Sequence, residues 1–484
     1  MKDSEDRNWK ELAETYWESS DEQDALEVTN PANQQLIAKI KNFGYRDCKS
    51  SIDRAHAALA SWRDRTAYDR SRLMKKWFSL VKERRNDLAM IMTMEQGKPL
   101  SEAKGEITYS SSFIRWFAEE GIRAYGETIP APAASSRFVT IRQSVGVVAA
   151  ITPWNFPSAM ITRKLAPALA AGCTVVVKPS EETPLSALAL ASLAEEAGIP
   201  KGVVNVVTPT DPEEFSKAVF EDSEVRKISF TGSIPVGKKL MAAAAKTVKK
   251  ISLELGGNAP FIVFEDADIK RAVSGLMTAK FRNNGQACIA ANRIFLHESI
   301  YGEFMELFEK KVRELKVGPG MESQSDLGPL INKAACKKAS EMVEEALEKG
   351  ARLRYRGQQE ADGSLFYPPV ILENCTEEMR VFKEEIFGPV AAVSSFKDGR
   401  RVIEQANDTQ SGLAAYFYSR DISRCWICAE ELEYGMVGVN SGFISDASAP
   451  FGGIKESGIG REGSRYGLEE YMEIKYMSFG GIKK

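Results

Sequence analysis

From residue 145 onward, apolar runs of strand length alternate with helical patterns, and this alternation constrains the fold more than any other feature. VGVVAAI is followed by a helical pattern in SAMITRKLAPALAAG, then CTVVVK, a helix in PLSALALASLAEEAG, VVNVV, a helix near PEEFSKAVF, VRKISF, and a helix in VGKKLMAAAAK. Strands that are apolar throughout and joined by helices belong in a parallel sheet covered on both faces. The pattern therefore predicts an α/β fold with a Rossmann-like sheet. Ligands of such sheets sit outside the carboxyl ends of the strands, beside helix N-termini. Three strand-end loops are thus predicted to carry chemistry: Thr152-Pro153-Trp154-Asn155-Phe156-Pro157, Lys178-Pro179-Ser180-Glu181 and Thr231-Gly232-Ser233-Ile234-Pro235-Val236-Gly237. The last reads as strand, glycine turn and helix, the form of a pyrophosphate seat, although it lacks the G-x-G-x-x-G fingerprint.

At 484 residues the chain exceeds what one core organises, and domain sizes imply about two to four units. Its first third holds long helical patterns, SIDRAHAALASWRD and SRLMKKWFSLVKERRNDLAMIMTMEQ. In the second, Leu73, Trp77, Leu80, Val81, Leu88 and Ile91 recur at helical spacing and are predicted core contacts. A net charge of −3 provides no overall field for nucleic acid or an anionic membrane. No segment approaches the ~20 apolar residues that span a bilayer, and the polar, acidic MKDSEDRNWKELAETYWESS has no signal- or transit-peptide character. The expectation is a cytoplasmic protein with a small-molecule ligand.

The seven scattered cysteines form no disulfide framework. Cys425 and Cys428 have C-x-x-C spacing without a second pair, in a helical context that favours a structural role. Histidine is nearly missing: His56 and His297 are the two present, and each reads as a surface or packing residue. Histidine triads and zinc sites are excluded on that supply, no metal is expected, and a catalytic base would be a carboxylate or a lysine. Within FRNNGQACIAANR, Cys288 stands in a polar, glycine-broken turn after the apolar AVSGLMTAK. Local pattern leaves it either a nucleophile or a small core residue.

PWNFP, LELGGNAP, the G-Q-x-C around Cys288 and EEIFGP, in this order, resemble the NAD(P)-dependent aldehyde dehydrogenase superfamily, over residues 28–477. EQGKPL, MITRKLAPALAAG, FRNNGQACIAANR, ANDTQSGLAAYFYSRD and APFGGIKESGIGREGS are most similar to its succinate-semialdehyde dehydrogenases. The resemblance implies an NAD(P)-binding domain from 1–125 and 145–253, a catalytic domain from 254–456, and a small β oligomerisation extension from 126–144 and 470–484. A homodimer or homotetramer is implied, with no nucleic-acid or membrane partner.

The resemblance also assigns roles. Cys288 would attack the aldehyde carbon, the Asn155 amide and the Cys288 N–H would hold the oxyanion, and Glu254 would activate water against the thioester. Trp154, Lys178, Ser180, Glu181, Gly232, Ser233, Leu255, Glu385 and Phe387 would bind the cofactor. Glu181 can accept both ribose hydroxyls and repel a 2′-phosphate, so NAD is expected to be preferred with NADP possible. Val207-Thr208-Pro209-Thr210-Asp211-Pro212 departs from the glycine-containing turn usual at the adenine edge. Arg163, Arg282 and Ser445 would clamp the distal carboxylate of succinate semialdehyde. Glutarate semialdehyde is the alternative substrate, since one methylene changes discrimination by only ~1–3 kcal/mol. Ala290 stands where some relatives carry a second cysteine, so no intraloop disulfide is expected.

Overall fold

The computed structural model describes residues 15–20, 22–358 and 363–483. Its six-stranded sheet has the order Gly458–Ile459, Lys250–Leu255, Val225–Gly232, Val147–Ile151, Thr174–Lys178, Val204–Val206. All neighbours are parallel except the short first strand. The chain starts at the central Val147–Ile151, winds outward through Thr174–Lys178 and Val204–Val206, then returns to the opposite side. Chain order therefore reverses between Val147–Ile151 and Val225–Gly232, and helix-covered sheets open a crevice at such a point. The PWNFP loop and the Gly232 turn flank that crevice, as the alternating pattern predicts.

A second, seven-stranded sheet has the order Arg352–Arg356, Val370–Glu373, Val390–Phe396, Ala291–His297, Ala259–Val263, Ala414–Tyr418, Met436–Val439. It is parallel apart from its Arg352–Arg356 edge. Cys288 lies just before Ala291–His297, at the amino end of its strand, whereas Glu254 ends Lys250–Leu255 of the first sheet. The site is thus assembled from carboxyl ends of one sheet and an amino end of the other. A third sheet pairs Arg137–Ser144 with Glu127–Ile129 and Met472–Phe479.

The pattern read as one long helical stretch over 71–96 forms two helices, Ala67–Glu83 and Arg85–Gln96, divided where Arg84 leaves helical geometry. Leu73, Trp77, Val81, Leu88 and Ile91 are buried as expected, and Leu80 packs partly buried against the same core. The Trp62 and Trp77 indoles donate to the carbonyls of Leu169 and Leu190, so each buried ring keeps its polar edge satisfied. The helix Pro157–Ala171 is buried at every position. Polar side chains on such a helix need internal partners, and Arg163 and Lys164 find them at the site. Cys425 and Cys428 face the core of the second sheet from the helix Ile422–Glu431, as free thiols. His56 pairs with Glu224 at the surface, and the His297 ring meets Phe396 edge-on. No helix among the described residues is long and apolar enough to cross a membrane.

Candidate active site

The loop before Cys288 has a conformation that few sequences tolerate. Asn283, Asn284 and Gly285 are consecutively left-handed, with φ of 52°, 56° and 72°. Asparagine enters this region at lower cost than most residues, and glycine at none. Surrounding contacts over-determine the turn: Asn283 N–H donates to Glu102 at 2.8 Å, Asn284 Nδ2 to the Gly328 carbonyl at 2.7 Å, and Ile331 N–H to Gln286 Oε1 at 3.0 Å. A Cβ on Gly285 would stand 2.3 Å from the Gly388 carbonyl, so this position admits only glycine.

Cys288 emerges half-buried into a cavity of about 290 Å³ whose walls include Trp154, Asn155, Glu254, Glu385 and Phe387. Asn155 Nδ2 donates one hydrogen to the Gln286 carbonyl at 3.0 Å, which leaves its second free to face the space beside Cys288. The Cys288 N–H takes no hydrogen bond among the described residues. Burial pushes the Cys288 thiol up to about 12; Glu385 and Glu254 add to the rise, and Arg163 and Arg282 oppose it. The resting sulfur therefore carries its proton.

Glu254 ends its strand beside the cavity. Burial, and after it the neighbouring Glu462, raises it well above the ordinary carboxylate range, and its Oε2 has no hydrogen-bond partner among the described residues. Glu462 behaves oppositely. Burial raises it, but Lys164, 2.6 Å from Oε1, and Arg163, 3.0 Å from Oε2, more than offset this and hold it ionised.

Toward the substrate side, Arg282 stacks between the rings of Phe156 and Phe443, with its guanidinium carbon 5.0 and 5.1 Å from their centroids. Arg163 lies over Phe451 at 3.8 Å. Its Nε meets Glu462 as an ion pair off the hydrogen-bonding line, and its Nη2 has no partner among the described residues. Tyr109 lies in the field of both guanidinium groups and beside Ser445, and its buried hydroxyl forms no aligned hydrogen bond. Tyr109 and Arg282 line a cavity of about 240 Å³. Unused donors on Arg163 and Tyr109, with the Arg282 guanidinium nearby, are chemistry that suits an anion.

On the cofactor side, Trp154 meets Phe387 edge-on at 5.5 Å. Ser233 caps the helix Ile234–Ala245 without spending its side chain on the cap, so the first N–H groups of that helix stay open to an anion. The buried Thr231 hydroxyl likewise has no partner among the described residues. Glu385 accepts the Gly257 N–H at 3.2 Å and burial lifts it to about 7. A Cβ on Gly256 would come within 2.7 Å of Glu385, which explains the glycine pair after Leu255. Lys178 pairs with Glu181 at 3.2 Å, and the Glu181 side chain is half-exposed. Ser180 is buried beside them, its hydroxyl accepting the Glu182 N–H. The Val207–Pro212 segment is bound to residues 41–43: Thr208 Oγ1 donates to the Lys41 carbonyl at 2.7 Å and Thr210 N–H to Asn42 at 2.9 Å. These features suit a dinucleotide.

The structure gathers Trp154, Asn155, Gly232, Ser233, Glu254, Leu255, Cys288, Glu385 and Phe387 around one cavity, while Lys178, Ser180, Glu181, Arg163, Arg282 and Ser445 lie outside its lining. It adds Glu462, Lys164, Tyr109 and Lys338, whose Nζ donates to the Glu385 carbonyl at 2.6 Å. Lys164 stands beside Arg163 in an otherwise largely apolar helical pattern, which is the signal that could have found it. Glu462 carries no local signal, because its partner lies 298 residues away.

Fold and site define an NAD(P)-dependent aldehyde oxidoreductase. The chain belongs to the aldehyde dehydrogenase family, whose model matches residues 17–477. It is 52% identical to the succinate semialdehyde dehydrogenase of Acinetobacter baylyi, covering 98% of each chain. It is 51% identical to a glutarate-semialdehyde dehydrogenase of Pseudomonas aeruginosa, covering 96% of each. The crystal structure of an NADP-dependent enzyme of Escherichia coli superposes with a TM-score of 0.94 at 52% identity, covering 96% of each chain.

Proposed function

We propose that this enzyme oxidises succinate semialdehyde to succinate, with glutarate semialdehyde as the alternative substrate. The observation that carries the reading is the pair Arg163 and Arg282, both close enough to bias the Cys288 thiol, with unused donors on Arg163 and Tyr109 and with Ser445 beside Tyr109. A carboxylate bound there leaves the aldehyde end of a short chain at the sulfur.

In this reading the Cys288 thiol gives its proton to solvent water, Sγ bonds to the aldehyde carbon, the carbonyl oxygen takes up the electron pair of its π bond, and Asn155 Nδ2–H and the Cys288 N–H stabilise that charge. A nicotinamide cofactor, when bound, would accept the hydride that the carbon loses as the oxyanion re-forms its C=O bond, and a thioester would remain on Cys288. Glu254 takes a proton from water, the hydroxide attacks the thioester carbon, the C–S bond breaks, and the acid departs. Burial and Glu462 raise the proton affinity of Glu254, and a carboxylate with raised proton affinity is a stronger base toward water than an ordinary one. Trp154, Phe387 and Glu385 would hold the nicotinamide end, Leu255, Gly232 and Ser233 the pyrophosphate, and Lys178, Ser180 and Glu181 the adenosine ribose.

NAD is the preferred cofactor in this reading because the Glu181 carboxylate stands at the ribose. The Escherichia coli relative, described as NADP-dependent, supports the opposing preference. Residues 1–125 and 145–253 would form the NAD(P)-binding domain and 254–456 the catalytic domain. The segments 126–144 and 470–484 would join subunits into a homodimer or homotetramer, a use supported by the exposed Ile474, Tyr476 and Phe479 on their shared sheet. The enzyme would act in the cytoplasm.

The test compares kcat/KM for succinate semialdehyde, glutarate semialdehyde and butanal with both cofactors. Succinate semialdehyde should exceed butanal by about a hundredfold, the worth of two charge-assisted contacts. Arg282→Ala should remove most of that gap; an equal rise in KM for both substrates would refute the clamp.

A further inference from the structure

Lys98 takes no part in the chemistry above, yet its ammonium stands one peptide away from the oxyanion donor. Its side chain is 1% exposed. Nζ donates to Glu106 Oε2 at 2.6 Å and to the Asn155 carbonyl at 2.8 Å. Asn283 Nδ2, from the nucleophile turn, donates to the same carbonyl at 2.8 Å. Glu106 uses its other oxygen to accept the Ser158 and Ala159 N–H groups at 3.0 and 3.1 Å, at the start of the helix after Asn155. One buried ion pair therefore grips the oxyanion segment by its carbonyl and by the helix that follows it.

The hydrogen bonds continue in one direction. The Asn155–Phe156 peptide, polarised at its oxygen by Lys98, presents the Phe156 N–H to Asn155 Oδ1 at 3.2 Å. That contact draws electron density from the side-chain amide, whose Nδ2 donates to Gln286 and whose residue lines the same cavity as Cys288. Chains of hydrogen bonds in a low-dielectric interior strengthen one another. A positive charge at their head makes Nδ2–H a better donor and fixes its direction. Burial lowers the Lys98 pKa, and Glu106 opposes that shift; the 2.6 Å ion pair is the contact that favours the ammonium.

We propose that Lys98, held by Glu106, is a positioning residue that orients and polarises the Asn155 amide for the tetrahedral oxyanion at Cys288. This rests on the reading of Asn155 as oxyanion donor.

Three reactions of the full-length enzyme separate this role from a structural one. Aldehyde oxidation and 4-nitrophenyl acetate hydrolysis both pass through an oxyanion at Cys288, whereas alkylation of Cys288 by iodoacetamide does not. Lys98→Met should lower turnover in the first two about tenfold, leave alkylation within about twofold, and be partly rescued in Lys98→Arg, which retains the charge. In an Asn155→Ala background Lys98→Met should have no further effect. Alkylation falling in step with turnover, or losses that multiply in the double variant, would overturn the proposal. Should Lys98→Met not fold, Glu106→Gln must show the same split between turnover and alkylation, and normal turnover there overturns it equally. Asn155→Ala with full oxidation would remove the oxyanion reading and this proposal together. Loss in Asn155→Ala with normal turnover in Lys98→Met would remove this proposal alone.

Discussion

Glu254 and Glu462 form a buried carboxylate pair in which one member takes both cations. Lys164 and Arg163 lie at 2.6 and 3.0 Å from Glu462, while Glu254 Oε2 has no hydrogen-bond partner among the described residues. Two like charges in one low-dielectric site push their pKa values apart, and the member without the cations moves up. The asymmetry separates the two: Glu462 is held ionised, and Glu254, the base of the proposed reaction, has its proton affinity raised well above that of an ordinary carboxylate.

Glu462→Gln is therefore expected to move the acid limb of the kcat–pH profile to lower pH. Removing the Glu462 charge removes a cause that raises Glu254, so Glu254 ionises earlier as pH increases. Each tenfold change in its proton affinity moves the limb by about one pH unit. An acid limb that stays in place, or moves to higher pH, in a titration of 4-nitrophenyl acetate turnover would contradict the coupling.

Tyr109→Phe isolates one donor at the anion site while keeping the ring that packs edge-on against Phe113 at 5.0 Å. A hydrogen bond to a charged group contributes about 1.5–3 kcal/mol. KM for succinate semialdehyde should rise by roughly tenfold or more, with KM for butanal unchanged. Parallel changes for both substrates would place the hydroxyl outside the carboxylate site.

The site was legible where function is written in short contiguous motifs. PWNFP places Asn155 at a strand end, LELGG places Glu254 before a glycine that admits Glu385 and one that admits the Cys288 carbonyl, and the asparagine–glycine turn marks the Cys288 loop, whose role only the family resemblance implied. Residues whose meaning depends on a distant partner were not legible: Glu462 faces Lys164 from the far end of the chain, and Tyr109 occupies an ordinary helical position. The fold behaves likewise. Strand–helix alternation predicts the first sheet, because each unit is local. The break at Arg84 does not interrupt the apolar period, and the Leu26–Thr29 and Leu36–Ile40 hairpin is too short and exposed to announce itself.

Glu181→Ser should shift the NADP/NAD ratio of kcat/KM toward NADP. It removes a carboxylate from the proposed ribose site and frees Lys178, now 3.2 Å from it, to meet a 2′-phosphate. A change of about tenfold or more is expected for one exchanged charge contact near the surface. An unchanged ratio, measured at saturating aldehyde, would show that the adenosine ribose lies elsewhere.

Lys280 is fully buried at the end of the helix Ile269–Phe281, and its Nζ has no hydrogen-bond partner among the described residues. Burial lowers it to about 7, opposed by Glu385. An ammonium without hydrogen bonds in such a place destabilises the fold until its proton leaves. The sign follows from proton counts: above pH 7 the unfolded chain, with an ordinary lysine, binds more protons than the folded one, so stability from this group rises between about pH 7 and 10. Lys280→Met, close in volume and free of charge, should raise the Tm at pH 7 by on the order of 2 °C or more and flatten that rise. A lower Tm, with the slope retained, would mean that the lysine makes a stabilising contact after all.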